Sequence, residues 1–355
     1  MNRNDFIQLK QFSLNKIEKE KLLLQFIKQL HFYHERHSNE YYKISNSLFP
    51  DKDYTSLDKI PYIPVSLFKN YLLKSIDNKE IFKILTSSGT TGSVPSKIVL
   101  DKETASLQSL TLSKILGHII GSNRLPMLII DSKSVIKDRK SFSARGAGIL
   151  GVSVFGKKHL YVLDDKFELI IEDLKNFASV YNGKSILIFG FTFMIWQYLA
   201  KTDLGFDLDL SNAILLHSGG WKKLEALAVD NKEFKKTLYN KYGIKPNNIY
   251  NFYGMIEQVG TVFLENSQGY LQCPNFSDII IRNPIDFSVQ HRGEPGLIQV
   301  ISMIPKSYPG HSILTEDIGV IVGEDDAENG WKGKYFKILG RAKKAETRGC
   351  SDTFK

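Results

Sequence analysis

Leu85-Thr86-Ser87-Ser88-Gly89-Thr90-Thr91-Gly92-Ser93-Val94-Pro95-Ser96-Lys97 follows an apolar run and leads into the apolar Ile98-Val99-Leu100. Hydroxyls and glycines dominate it. Glycine lets a backbone turn tightly with its N–H groups toward an anion, and the interleaved Ser and Thr hydroxyls add donors for phosphate oxygens. The stretch therefore reads as a phosphate-holding loop. It does not fit a P-loop: the glycine spacing differs, and Lys97 is neither preceded by Gly nor followed by Ser or Thr. The same composition also suits a solvated hairpin turn. The rest of the chain has to choose between the two.

The chain has 355 residues, 42% of them hydrophobic, enough to bury a core in one large domain or two smaller ones. Its formal net charge of +9 is spread along the sequence, with Lys-rich patches near the N-terminus and over 332–344. Basic nucleic-acid binders carry a Lys/Arg stripe with aromatic platforms or a motif. Neither is visible, so no nucleic acid is expected, and the charge fits a mild attraction for anionic substrates. The two cysteines, Cys273 and Cys350, are far apart and outside metal-ligand spacing, which excludes a disulfide framework. None of the eight histidines shows the H-x-x-x-H or H-E-x-x-H spacing of a zinc site. The N-terminus leads into a charged amphipathic segment rather than a signal sequence, and no apolar run reaches the roughly 18 to 20 residues of a membrane span. These features predict a cytoplasmic, soluble protein.

Apolar residues recur at helical spacing over 13–35, predicting a surface helix capped by Ser13. An aromatic segment broken by Pro50, Pro61 and Pro64 follows, with an extended stretch at 60–65. Beyond the Ser/Thr/Gly loop, residues 104–120 read as a helix and 125–131 as a buried strand ending in Asp131. Two similar strands, 185–191 and 213–220, each enter a glycine-containing turn. Helical patterns at 167–181, 193–200 and 224–242 separate them. Such alternation implies a mostly parallel sheet with helices on its faces, whose ligands gather beyond the carboxyl ends of the strands. From about residue 276 the pattern becomes short alternating strands, predicting an antiparallel subdomain.

Four clusters accompany the loop: Ser218-Gly219-Gly220, Asn251-Phe252-Tyr253-Gly254-Met255-Ile256-Glu257, Thr315-Glu316-Asp317 and Gly340-Arg341. Each alone is an ordinary strand end, core aromatic, helix-end carboxylate or turn. Together they supply what a nucleoside triphosphate needs. An aromatic face stacks a base, one carboxylate holds Mg²⁺ against phosphates, and another accepts the ribose hydroxyls. An arginine neutralises phosphate or ribose oxygens.

On Ser87-Ser88-Gly89-Thr90-Thr91-Gly92, Tyr253-Gly254-Met255-Ile256-Glu257, Thr315-Glu316-Asp317 and Gly340-Arg341, the chain resembles the adenylate-forming, acyl-activating superfamily. Within it, Ser141-Phe142-Ser143-Ala144-Arg145-Gly146-Ala147-Gly148, Leu187-Ile188-Phe189-Gly190-Phe191-Thr192-Phe193 and Arg348-Gly349-Cys350-Ser351-Asp352 resemble the acyl-protein synthetases of the bacterial luminescence fatty-acid reductase system. The resemblance runs through most of the chain. It implies an α/β fold: a large adenylation domain over 1–339, antiparallel over about 276–339, and a short tail at 340–355 in place of the superfamily's mobile C-terminal domain. It also implies that Ser88, Gly89, Thr90 and Thr91 grip ATP phosphates with Thr90 near the metal, and that Glu257 helps hold Mg²⁺. Tyr253 would stack on adenine against the Ser218-Gly219-Gly220 backbone, and Asp317 would bind ribose with Arg341 nearby. Phe189, Phe191 and Phe193 are candidates for an acyl-pocket wall, and equally for core. Lys97 departs from the superfamily pattern, in which Lys directly follows Pro.

The reaction implied is attack of a fatty-acid carboxylate on the α-phosphate of ATP, giving acyl-AMP and pyrophosphate. An acid–thiol ligase of this type then loads the acyl group on Cys350, for delivery to a partner acyl reductase or acyl-transfer protein. Cations flank that thiol in sequence and favour its thiolate, the nucleophilic form. An acyl- or aryl-CoA ligase is the alternative within the superfamily. A non-catalytic nucleotide- or nucleic-acid-binding protein is the alternative outside it.

Overall fold

A computed structural model of the chain describes residues 2–87, 94–137, 144–221 and 227–342. The chain divides into two units, one of Met1–His118 together with the segment from Gly254, the other beginning at Ile119 and running to Tyr253. The first unit starts with a six-residue helix, Arg3–Gln8, and continues with Lys16–His37. The cap of the longer helix is Asn15, not Ser13. Asn15 Oδ1 accepts from Glu18 N at 3.1 Å, and Glu18 Oε2 accepts from Asn15 N at 3.2 Å. Ser13 instead turns back and donates to Lys10 O at 2.7 Å. Then come β1 (Ile63–Pro64), β2 (Lys83–Thr86) and β3 (Lys97–Leu100), followed by the helix Lys102–Ile120. β2 and β3 pair antiparallel, Leu85 opposite Ile98 and Thr86 opposite Lys97. Ser87 N donates to Ser96 O at 3.0 Å and extends the hairpin toward the Ser/Thr/Gly loop.

The second unit is a parallel sheet of β4 (Leu125–Ser132), β5 (Gly156–Leu163), β6 (Leu187–Phe191), β7 (Ile214–Ser218) and β8 (Ile249–Gly254). The strands lie side by side in the order β5, β4, β6, β7, β8, all parallel. Helices Ala144–Ser153, Ile171–Tyr181 and Asn231–Tyr242 connect them, as expected when parallel neighbours need crossovers. Two helices begin later than their apolar pattern suggests. Asp164 Oδ1 accepts from Lys166 N at 2.8 Å and Glu168 N at 2.9 Å, curling the chain into a turn with Phe167 at φ 62°, so the helix starts at Ile171. Asp230 accepts from Glu233 N at 2.8 Å and starts the other at Asn231. The helical stretch after β6 is Thr192–Ile195, continued by a π turn at Trp196–Ala200.

The first unit resumes with β9 (Val262–Glu265), β10 (Leu271–Gln272), β11 (Ser277–Arg282), β12 (Gly296–Ser302), β13 (Ser312–Glu324) and β14 (Lys334–Arg341). They form an antiparallel sheet in the order β11, β12, β13, β14, β10, β9, with β1 added parallel to β13. Antiparallel pairing thus begins at Val262, earlier than residue 276. β9 and β10 are four and two residues long and buried throughout, so they show no alternation. The core of this unit gathers Tyr41, Ile63, Val65, Phe68, Leu73, Leu85, Ile98, Leu100, Tyr308 and Ile313. It joins the hairpin β2–β3, the strand β1 and the start of β13.

Two polar clusters are buried in the same unit. Lys19 Nζ lies 3.7 Å and Lys334 Nζ 3.3 Å from the Asp278 carboxylate, which fastens the helix Lys16–His37 to the antiparallel sheet. His31 Nδ1 is 2.8 Å from the Tyr41 hydroxyl, which is 3.3 Å from His311 Nε2, while His34 Nδ1 meets Ser75 Oγ at 2.7 Å. Among the described residues no helix is long and apolar enough to cross a membrane.

Candidate active site

The residues singled out by motif fall into two groups. In the first unit, Ser87 stands at the mouth of the hairpin β2–β3, where its Oγ accepts from Ser96 N at 2.8 Å. Met255 and Ile256 pack against the core cluster that contains Leu85, Ile98 and Leu100 of that hairpin. The base of the Ser/Thr/Gly loop and the segment bearing Glu257 therefore share one core. Glu257 follows on the short helix Ile256–Gln258 and is 3% exposed. Backbone is close around it: a Cβ on Gly310 would lie 2.9 Å from the Glu257 carbonyl oxygen. Burial foremost, with the Glu257 charge adding, pushes the Tyr308 phenol up. Lys97 is exposed on β3. Ser88, Gly89, Thr90, Thr91 and Gly92 lie outside the described residues, as does Cys350.

Asp317 and Arg341 face each other across β13 and β14. Arg341 Nη2 donates to Glu316 Oε2 at 2.7 Å, and Nε lies 3.5 Å from Asp317 Oδ1. Thr315 braces this end of β13, accepting from Asp317 N at 3.1 Å and donating to Ile298 O at 2.7 Å. The Asp317 and Arg341 side chains remain 23% and 29% exposed, so a ligand can reach both. A rigid carboxylate beside a planar five-donor cation suits a diol next to a phosphate.

In the second unit, Ser218, Gly219 and Gly220 leave the carboxyl end of β7. Ser218 pairs with Phe252 of β8, and Ser218 Oγ donates to Phe252 O at 2.8 Å. Tyr253 is the next residue along, partly exposed. Gly219 adopts φ 81°, and a Cβ there would lie 3.0 Å from the Phe191 ring, so both backbone and space require glycine. Gly254 belongs to the other unit, where a Cβ would meet Thr261 O at 3.2 Å. Phe189 is fully buried, Phe191 4% and Phe193 7% exposed. The Phe189 and Phe191 rings lie 3.6 and 3.8 Å from where Gly148 would carry a Cβ, so both lie against the helix Ala144–Ser153.

Two features at the carboxyl ends of the parallel strands escaped the sequence reading. Arg145 Nε lies 3.0 Å from Asp131 Oδ2, both at most 2% exposed, and the guanidinium stands 5.3 Å from the Phe167 ring centre. Burial lowers the Arg145 pKa, with Asp131 opposing it. The signal was present, a carboxylate ending β4 and an arginine in a glycine-flanked motif, but nothing in sequence pairs residues 14 apart. The second is a hydrogen-bonded set around Thr192 and His217.

Residues 4–355 match the family described as "Acyl-protein synthetase, LuxE". The chain belongs to this acyl-protein synthetase family. As a member it is an adenylate-forming ligase that uses ATP to make an acyl adenylate and then transfers the acyl group. Long-chain-fatty-acid–luciferin-component ligase of Vibrio harveyi is 23% identical over 348 residues, covering 94% of this chain and 87% of the relative. The enzyme of that name from Aliivibrio fischeri is also 23% identical over 348 residues, covering 94% and 88%. Among solved structures, 2-hydroxyisobutyryl-CoA ligase in an open conformation with 2-HIB-AMP and CoA superposes with TM-score 0.70. It is 15% identical and covers 94% of the synthetase and 72% of the ligase. ATP-bound MatB from Rhodopseudomonas palustris gives TM-score 0.50 at 16% identity, over 75% of the synthetase and 49% of MatB. The synthetase thus has the mixed α/β fold of adenylate-forming ligases.

Proposed function

We propose that this acyl-protein synthetase activates a long-chain fatty acid as acyl-AMP and receives the acyl group on Cys350 as a thioester. The observation that carries this reading is the family match across residues 4–355, which spans every motif of the candidate site. Both relatives named above are long-chain-fatty-acid ligases, which supports a fatty acid as substrate.

In this reading Ser87 to Gly92 hold the ATP phosphates, Tyr253 stacks on adenine beside the Ser218-Gly219-Gly220 turn, and Met255 packs into the core of the first unit. Asp317 accepts the ribose hydroxyls, and Arg341, already held by Glu316, offers its remaining donors to ATP oxygens. The chain's task in the first step is to align a carboxylate with the α-phosphate and neutralise charge there. Glu257 suits Mg²⁺, which takes one or two carboxylates plus phosphate oxygens and keeps several waters; its buried carboxylate is a hard donor on a rigid segment. Bound with ATP, Mg²⁺ supplies charge neutralisation of the phosphates.

In the second step the Cys350 thiolate attacks the acyl carbon of acyl-AMP. The S–C bond forms as the bond to the AMP oxygen breaks, and AMP leaves. The loaded enzyme then hands the acyl group to a partner acyl reductase or acyl-transfer protein. ATP as co-substrate fits a cytoplasmic enzyme. ATP–pyrophosphate exchange measured with a panel of acids tests the first step. We expect exchange to rise with long-chain acids and no acyl-CoA to form when coenzyme A is added. Acyl-CoA as the main product would replace this reading by a CoA ligase.

A further inference from the structure

Thr192 is the first residue after β6, at the start of the helix Thr192–Ile195. Its hydroxyl lies 2.9 Å from His217 Nδ1 and 3.2 Å from Ser218 O. A carbonyl can only accept, so Thr192 donates to Ser218 O and accepts from His217, which fixes the His217 proton on Nδ1. His217 is 3% exposed, and burial foremost lowers its pKa to about 3, so it is neutral. The next link is Ser218 Oγ, which donates to Phe252 O at 2.8 Å.

These bonds run across three neighbouring strand ends. Phe191 pairs with Ser218 and Ser218 with Phe252, so the set adds side-chain bonds where the backbone ladder of β6, β7 and β8 stops. Immediately beyond lie Gly219, in the left-handed region against the Phe191 ring, and Tyr253. The backbone of the turn has no side chain of its own to hold it, since both residues after Ser218 are glycine. The Ser218 carbonyl and hydroxyl tie it on one side, and on the other Trp221 packs edge-on against Trp196 and Phe234.

We propose that Thr192 is a positioning residue. Its hydroxyl, bonded to His217 and to the Ser218 carbonyl, holds the Ser218-Gly219-Gly220 turn at the spacing from Tyr253 that an adenine ring fills. This rests on the reading of that turn and Tyr253 as the adenine site. Thr192 does not itself touch ATP; it acts through Ser218.

The test compares Thr192→Val, which keeps shape but loses both bonds, with Thr192→Ser, which keeps the hydroxyl. Each is assayed by fatty-acid-dependent ATP–pyrophosphate exchange and by thermal melting. If uniform ATP binding is what the hydroxyl secures, KM for ATP rises roughly tenfold in the valine variant while kcat and KM for the acid stay near wild type, and the serine variant recovers to within about twofold. An ATP KM within about twofold of wild type in Thr192→Val overturns the proposal, as does an equal rise in both variants that tracks a lowered melting temperature. Should the valine variant fail to fold, Thr192→Ala, which removes the same two bonds without the branched side chain, is expected to raise KM for ATP in the same direction, and an unchanged KM there overturns the proposal. Tyr253→Ala separates the two layers. An unchanged ATP KM in that variant overturns the adenine reading itself, whereas a raised KM beside an unaffected Thr192→Val overturns only the role of Thr192.

Discussion

At the scale of the residue, the Asp317–Arg341 pair gives the clearest geometry. Arg341 spreads its fork over Glu316 and Asp317 at 2.7 and 3.5 Å. A lysine at 341 supplies a point charge and cannot serve both carboxylates and a ligand at once. Arg341→Lys is expected to lower kcat/KM for ATP in the exchange assay on the order of 10- to 100-fold, and wild-type kinetics would remove Arg341 from the site. Gly219 makes a different prediction. A side chain there must adopt φ 81° and push on Phe191, so Gly219→Ala is expected to cost about 1–2 kcal/mol in urea unfolding. The sequence made Asp317 and Arg341 legible because each sits in a short recurring motif. It hid Arg145–Asp131 and Thr192–His217, because in each pair a residue at the start of a helix meets a residue on a strand only once the parallel sheet has formed.

At the scale of the element, the helix Lys16–His37 is held by its cap and by a buried charge. Asn15→Ala removes the side-chain half of the capping box, the bond from Glu18 N, while the backbone N–H at 15 keeps Glu18 Oε2, and it is expected to cost about 1 kcal/mol. Lys19→Met leaves the buried Asp278 with Lys334 alone, and loss of one partner from such a cluster is expected to cost about 3 kcal/mol. A neutral Lys19→Met in denaturant unfolding would mean that Lys334 alone satisfies Asp278. Strands β4, β6 and β7 were legible as short continuous apolar runs. β5 was not, since Gly156-Lys157-Lys158-His159 masks its buried end. Nor was the helix Arg3–Gln8, too short to hold by propensity. The Arg3 guanidinium anchors it to the carbonyls of Met303 and Ile304, with Phe6 and Ile7 buried beneath.

At the scale of the whole molecule, each unit carries histidines buried in neutral form. His34 in one and His217 in the other are lowered to about 3, by burial above all. The unfolded chain binds protons at these positions below about pH 6.5, whereas the folded chain does not until about pH 3. Their contribution is therefore complete above pH 6.5 and is lost as pH falls, at about 1.4 kcal/mol per unit for each group. Urea unfolding at pH 7.5 and 5.0 is expected to show a marked drop, and equal stabilities would contradict the buried neutral state. The parallel and antiparallel regions were legible as a change of period, but the return of the N-terminal 118 residues into the antiparallel unit was not, because β1 and β13 are brought together only by long-range pairing. The central claim joins the two ends of the reaction, ATP-dependent activation and a thiol on the chain itself. Its most direct test is incubation with radiolabelled long-chain fatty acid, Mg²⁺ and ATP, followed by denaturing electrophoresis with and without hydroxylamine. Acyl transfer to Cys350 predicts ATP-dependent, hydroxylamine-labile label on the wild-type chain and none on Cys350→Ser, with pyrophosphate exchange preserved in both. Undiminished label on Cys350→Ser would contradict it.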